Sequence, residues 1–374
     1  MQLVSFASRR ELLSHCSSVT LYGAGSIGRA AIKLLRQQGV AVRAVLDRRA
    51  APGQQLEGVL VVVSASFEAR AAAGDILVVV TILNRTADTA DIRRALEDSG
   101  CHRALSFSAF YELFPDELGW RFWVAPRSHL AAHAGNVAAL RDLLCDDRSR
   151  ATLDALVAQR RSASLDFPVP EPLEQQYLAP DLPALADPRS YAHFVDCGAF
   201  DGDTVERMRD RFPEGALASC FEPDLQNFVK LGDRARAGLG GRPSHLLLWP
   251  CGVWDTTAQL HFSAGEGESS HVGAAGTTTI QTVALDDALA GAPPPTFIKL
   301  DVEGAETEAL VGARRLIARS RPVLAVSVYH RPGHLWEIAE LVAGWRLGYD
   351  FHLRTYGHQG FETVLYAIPR GVTS

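Results

Sequence analysis

The chain has 374 residues, long for one domain at about 150 residues each, so two domains are expected. Its 37 basic and 43 acidic side chains give a formal charge of -6, which supplies no general electrostatic pull towards nucleic acid or an anionic membrane and favours a small or neutral substrate. The six cysteines, Cys16, Cys101, Cys145, Cys197, Cys220 and Cys251, stand singly with no C-x-x-C pair, as the reduced thiols of a cytoplasmic protein do. No apolar run reaches the ~18 residues of a membrane span, so membrane insertion is not expected.

In chain order the first elements are a strand at Val19 to Tyr22, a glycine-rich turn, a helix from about Ile27 to Gln38 and a strand at Ala41 to Leu46. This order is a βαβ unit. A strand at Asp75 to Ile82, a helix at Ala87 to Ser99 and a strand at Arg103 to Ser106 extend it into a small doubly wound α/β sheet, a Rossmann-like domain over residues 1–110. The turn reads YGAGSIGR, so Gly23, Gly25 and Gly28 match G-x-G-x-x-G, and Asp47 ends the next strand. That is a dinucleotide-binding pattern in its proper context, and it resembles the nucleotide- or NAD-type domains attached to several sugar-modifying enzymes. Three readings stay open: an NAD site, a site for the nucleotide part of a nucleotide-sugar, or a fold that keeps its glycines for packing and binds nothing.

Residues 111–186 form a helical and proline-rich bridge, with helices at Asn136 to Leu144 and Arg148 to Arg161 and then the run Pro168 to Pro188. Prolines fix the backbone and remove donors, so this run is expected to be extended, with Phe167 and Tyr177 laying it on the protein.

Residues 187–374 alternate again, with strands near His193 to Cys197, Leu217 to Phe221, His245 to Trp249, Thr296 to Leu300 and Val323 to Val328. Apolar strands in such an order make a buried parallel sheet. Trp345 to Arg354 and Glu362 to Ala367, either side of the turn Gly357 to Gly360, form a closing hairpin, and Thr256 to Val283 reads as an inserted hairpin or flap. The fold class is therefore α/β, with two Rossmann-like doubly wound sheets.

FVDCGAFDGDTVERM, from Phe194 to Met208, sets Asp196, Gly198, Asp201, Gly202 and Asp203 at a strand-to-helix junction. Glycines let a backbone approach a ligand closely. So many carboxylates repel a phosphate but welcome a ligand carrying a sulfonium and an ammonium, and S-adenosylmethionine has both. The strand ending at Cys220-Phe221 delivers Glu222, placed to accept ribose hydroxyls. The plainer alternative is that Asp203 or Thr204 caps one helix and Glu222 starts the next. Cys197 reads as a small buried strand residue.

This half of the chain, about Tyr177 to Ala367, resembles the FkbM family of S-adenosylmethionine-dependent methyltransferases. The matching pieces are FVDCGAFDGDT, FEPD, TVALDDAL, IKLDVEGAE and VYHRPGHLWEI. The resemblance implies a class I methyltransferase fold and an O-methyltransferase acting on a hydroxyl of a sugar, nucleotide-sugar, glycan or natural product. It implies that Asp196, Gly198, Ala199, Asp201, Gly202, Asp203 and Thr204 surround the methionine part of the cofactor, Glu222 the ribose, and the turn with Gly252 and Val253 the adenine. Tyr177 matches an upstream aromatic that covers the cofactor.

Methyl transfer needs an aligned acceptor and, for a hydroxyl, a base. The reaction site of an open parallel sheet lies beyond the carboxyl ends of its strands, which nominates His330 as general base, since an imidazole near its ordinary pKa accepts a proton at neutral pH, and Asp301 as the second candidate. Lys299, Glu303 and His271 are candidates for acceptor contact, either glutamate of the segment (Glu303 or Glu306) could open the helix electrostatically, and His334 reads as solvated. No metal is expected, because the His330/His334 spacing is interrupted by Pro332. The alternative from another class is an NAD-dependent oxidoreductase acting on a nucleotide-sugar through the first domain. The expected partner is a small-molecule or glycan acceptor, and homo-oligomerisation stays open.

Overall fold

The computed structural model describes residues 1–238, 243–263, 271–272 and 278–371; the side chains of Phe67, His261, Phe262, Ser263, His271, Val272 and Thr278 are not among those described. The chain divides into two compact units, one of Met1–Gly135, Ala151–Pro170 and Gly357–Phe361, the other of Asn136–Arg150, Glu171–Tyr356 and Glu362–Ser374. Residues 111–186 are thus divided between the units.

The first unit holds β1 (Gln2–Leu3), β2 (Ser18–Tyr22), β3 (Ala41–Asp47), β4 (Gln55–Leu56), β5 (Val59–Val63), β6 (Leu77–Val80) and β7 (Arg103–Leu105) in the order β1-β7-β6-β2-β3-β5-β4. Every pair is parallel except β4 with β5. All four residues of β6 are buried, as befits a strand covered on both faces. Helix Ser26–Gln37 packs Ala31, Ile32, Leu34 and Leu35 inward at helical spacing.

The second unit holds β8 (His193–Cys197), β9 (Leu217–Phe221), β10 (His245–Trp249), β11 (Gly252–Val253), β12 (Ala258–Ser263), β13 (His271–Val272), β14 (Thr278–Val283), β15 (Phe297–Leu300), β16 (Val323–Ser327), β17 (Tyr349–Thr355) and β18 (Thr363–Pro369). Its main sheet runs β10-β9-β8-β15-β16-β18-β17, with β18 antiparallel to both neighbours, so the closing hairpin is present. β17 begins later than expected, because helix His334–Gly344 continues first and Gly348, at φ +74°, makes the turn. The expected hairpin within Thr256 to Val283 is the antiparallel pair β12 and β14, in a small sheet with β11 and β13.

The core of this sheet is aromatic. Phe194 on β8 meets Phe297 on β15 at 5.3 Å and Phe212 edge-on at 5.9 Å. The proline-rich run is not extended as expected. It folds into the short turns Leu173–Gln175, Pro183–Ala186 and Pro188–Tyr191, the last two opening on proline, whose fixed φ suits the first helical position. Tyr177 anchors it, its N–H donating to the Tyr366 hydroxyl at 3.0 Å. No helix among the described residues is long and apolar enough to cross a membrane.

Candidate active site

The chain winds from β8 out to β10, then returns past β8 to β15 and β16. That reversal opens a crevice beyond the carboxyl ends of β8 and β15. Gly198 leaves β8 at φ +83°, and a Cβ there would stand 1.9 Å from the carbonyl oxygen of Asp301, so only glycine lets the two strand ends touch. Gly202, at φ +89°, opens helix Asp203–Arg207, and Ala199 and Thr204 are buried beside it.

Asp196 is fully buried, with Oδ1 2.9 Å from Lys299 Nζ. Burial pushes its carboxyl up to about 6, against the pull of Lys299. Lys299 Nζ donates to the Gly198 carbonyl at 2.6 Å and lies 5.7 Å from the Tyr177 ring. Burial alone would depress Lys299, yet Asp196 and Asp301 hold it above its ordinary value. Lys299 is 2% exposed, so it is a strut under the glycine turn rather than the acceptor contact expected from the sequence.

The remaining acids of the turn also have cationic partners. Asp201 pairs with Arg234 at 2.8 Å and Asp203 with Arg207 at 3.2 Å. The expectation that Asp196, Asp201 and Asp203 together form a pool of uncompensated negative charge therefore does not hold. Asp203 lies inside its helix rather than capping it, and Asp224, not Glu222, caps the next, accepting from Gln226 and Asn227.

Glu222 is buried at the end of β9, where its two oxygens accept from the backbone N–H of Phe200 at 2.8 Å and of Asp224 at 2.9 Å. Burial raises it to about 7. Gly252 and Val253, on β11 beside β14, stand next to this corner, a Cβ at Gly252 lying 3.7 Å from Pro223. Phe200 was missed in the sequence. It sits at φ +50° with its side chain exposed; a lone aromatic between the glycines was the available signal.

A second group gathers beyond β15 and β16. His330 is 0% exposed, and its Nδ1 lies 2.7 Å from Glu306 Oε1. Its Nε2 stands 3.5 Å from Asp301 Oδ1 and 3.5 Å from Glu303 Oε2. Glu306, also fully buried, accepts from the Val302 N–H at 2.9 Å and lies 3.1 Å from His334 Nδ1. His334 is thus buried, not solvated as expected. Tyr177 donates its hydroxyl to Asp301 Oδ2 at 3.1 Å, tying the aromatic expected over the cofactor to this cluster.

The charge state of His330 departs from expectation. Burial would lower it, but Glu306, Glu303 and Asp301 raise it to about 10, so the ring is not an imidazole near its ordinary pKa. Burial likewise pushes Glu303 up to about 8: 36% of its side chain is exposed while Oε2 itself is covered. The side chain of His271 lies outside the described residues.

In the first unit, Gly23 turns at φ +118°, and a Cβ at Gly28 would meet the Gly23 carbonyl oxygen at 2.2 Å. Those glycines serve close packing of helix on strand. Gly25 has open space around it. Asp47 accepts from the N–H of Ala24 at 2.9 Å and of Arg49 at 2.8 Å, one on each oxygen.

The strand order and site of the second unit define a class I methyltransferase fold. Residues 196–356, in this unit, match the model of the Methyltransferase FkbM domain. In fold the chain is similar to the crystal structure of Methyltransferase FkbM from Methylobacillus flagellatus KT, at 23% identity and a TM-score of 0.74 over 96% of this chain and 92% of that one. Slighter likenesses, both at a TM-score of 0.35, are to the O-methyltransferase TomG from Streptomyces achromogenes (15% identity, 64% of this chain and 96% of that) and to an O-methyltransferase from Bacillus cereus (16%, 63% and 97%). No curated protein matches the chain.

Proposed function

We propose that this chain is an S-adenosylmethionine-dependent O-methyltransferase acting on a hydroxyl of a sugar, nucleotide-sugar, glycan or natural product. The observation that carries the reading is the meeting, at the ends of β8, β9 and β15, of the glycine turn and Glu222 with the carboxylates around His330. Gly198 lets the ends of β8 and β15 close on one another, Gly202 turns the chain into the next helix, Glu222 stands at the end of β9 for the ribose, and Gly252 and Val253 flank the adenine side. Asp196, fully buried and 2.9 Å from Lys299, steadies the turn from beneath through that lysine, which donates to the Gly198 carbonyl.

The bound cofactor supplies an electrophilic methyl group on a sulfonium. A hydroxyl acceptor must shed its proton as its oxygen forms the new bond, whereas an amine in its neutral form attacks without help. Asp301 and Glu303 reach the crevice, while His330 lies fully buried behind them. Asp301 therefore meets the acceptor, and His330 orients it from behind; burial reverses the order of the two candidates.

The test is calorimetric titration of the protein with S-adenosylmethionine, S-adenosylhomocysteine and NAD, repeated with Glu222→Ala. Binding of the first two, weakened at least tenfold in the variant, is the expected outcome. Binding of NAD alone would overturn the reading in favour of an oxidoreductase.

A further inference from the structure

Three carboxylates converge on one buried imidazole at the end of β16, and their spacing is informative. Glu306 fixes the His330 ring through Nδ1 and is itself held by the Val302 N–H and by His334. The pinned ring aims Nε2 at Asp301 Oδ1 and Glu303 Oε2, each at 3.5 Å. Direct hydrogen bonds to a carboxylate prefer about 2.8 Å. Two donors that share a cation at about 2.1 Å stand roughly 3.0 to 3.4 Å apart, in octahedral or tetrahedral shells respectively.

The surroundings match such a site. A carboxylate on the far nitrogen of a ligating histidine is the usual outer partner of a metal-bound imidazole, and Glu306 occupies that position. Asp301 Oδ2 is likewise held, by the Tyr177 hydroxyl at 3.1 Å. Asp301 is part-exposed, 23%, which leaves a way in on its side.

We propose that Asp301 Oδ1, Glu303 Oε2 and, with its proton displaced by the incoming cation, His330 Nε2 form a site for a divalent cation of the oxygen-preferring kind, Mg2+ or Mn2+. The absence of a clean histidine pair, which argued against a metal in the sequence, does not bear on this site, because it needs only one histidine. Its role rests on the methyltransferase reading. An acceptor hydroxyl entering as a further ligand loses its proton to water in the crevice, and the freed oxygen forms the bond to the methyl carbon as the carbon–sulfur bond breaks and its electron pair stays on sulfur. Asp301 then holds the cation instead of taking the proton.

The experiment is a titration of the full, chelator-stripped protein with Mn2+, followed by the electron paramagnetic resonance of the free ion, on wild type, Asp301→Asn and Glu303→Gln. The expected result is saturable binding of one Mn2+ per chain, competed by Mg2+ and weakened at least tenfold in both variants. No saturable binding by the wild type up to millimolar Mn2+, or binding unchanged in the variants, overturns the site. S-adenosylhomocysteine calorimetry on the same stripped samples separates the two ideas and reports whether each variant is folded. Product binding without Mn2+ binding sinks the cation site alone; Mn2+ binding without product binding sinks the methyltransferase reading alone. Should either variant lose product binding, His330→Gln replaces it in the comparison.

Discussion

The two units carry the same device at the same place and surround it differently. In each, a strand runs into a glycine turn and the next strand ends in an acid whose oxygens accept one N–H from that turn and one from two residues further on: Asp47 with Ala24 and Arg49, Glu222 with Phe200 and Asp224. The strand on the other side differs. At the end of β6 the first turn meets Thr81, whose hydroxyl donates to the carbonyls of Tyr22 and Gly23 at 3.1 and 2.9 Å. At the end of β15 the second turn meets Lys299, buried against Asp196, and beyond it Asp301 and Glu303. A glycine turn with its acid is common to both units; the charged residues of the neighbouring strand distinguish the second from the first.

The largest expected effect breaks the second turn and spares the first. Gly198→Ala puts a methyl 1.9 Å from the Asp301 carbonyl oxygen at φ +83°, a left-handed conformation that costs any other residue about 1–2 kcal/mol before the clash is counted. With the overpacking added, the loss is about 3 kcal/mol, and product binding goes with it. Gly25→Ala, at the matching turn, meets nothing within 4 Å and should leave stability within about 0.5 kcal/mol. Urea melts of the two variants check the contrast, and equal losses would mean that Gly198 is no more closely packed than Gly25.

A smaller effect separates the neighbouring strands. Lys299→Met leaves the Asp196 carboxylate buried without its cation and should cost about 3 kcal/mol, whereas Thr81→Val removes a neutral hydroxyl that serves two carbonyls and should cost about 1 kcal/mol. Adding Asp196→Asn to Lys299→Met should recover part of the loss, because the uncompensated charge goes with it. A double-mutant cycle in urea reads this directly, and no recovery would mean that Lys299 acts by packing alone.

The contrast also marks where a sequence is legible. The bounds of β8, β9 and β10 were read to the residue, because each is a mostly apolar stretch of five cut off by a polar or glycine-containing turn. β1 and β4, two residues each, have no period to detect. In the site, Gly198, Glu222 and Asp301 stood out because each follows a strand directly. Most partnerships were not legible: Glu306 and His330 lie 24 positions apart and Tyr177 and Asp301 lie 124 apart, and Arg234, which offsets Asp201, carries no motif, whereas Arg207, four residues after Asp203 on one helix, was open to reading. The ordinary pKa assumed for His330 failed for the same reason, since its three carboxylates reach it only through the fold.

The subtlest test of the comparison is the pH dependence of Glu222. Its folded pKa, about 7, lies above the ordinary carboxylate value of 4.5 because the group is buried. The folded state therefore holds an extra proton between those values, so the contribution to stability is fullest below about 4.5 and is lost as pH rises through about 7. Cofactor binding runs the opposite way, because only the ionised carboxylate presents all its lone pairs to two hydroxyls. Affinity for S-adenosylhomocysteine should fall as pH drops below about 7, approaching tenfold per unit, while Glu222→Gln flattens both trends and binds weakly throughout. Calorimetry from pH 8 to pH 6 makes the measurement. A profile unchanged by the substitution would mean that Glu222 does no more than hold its turn.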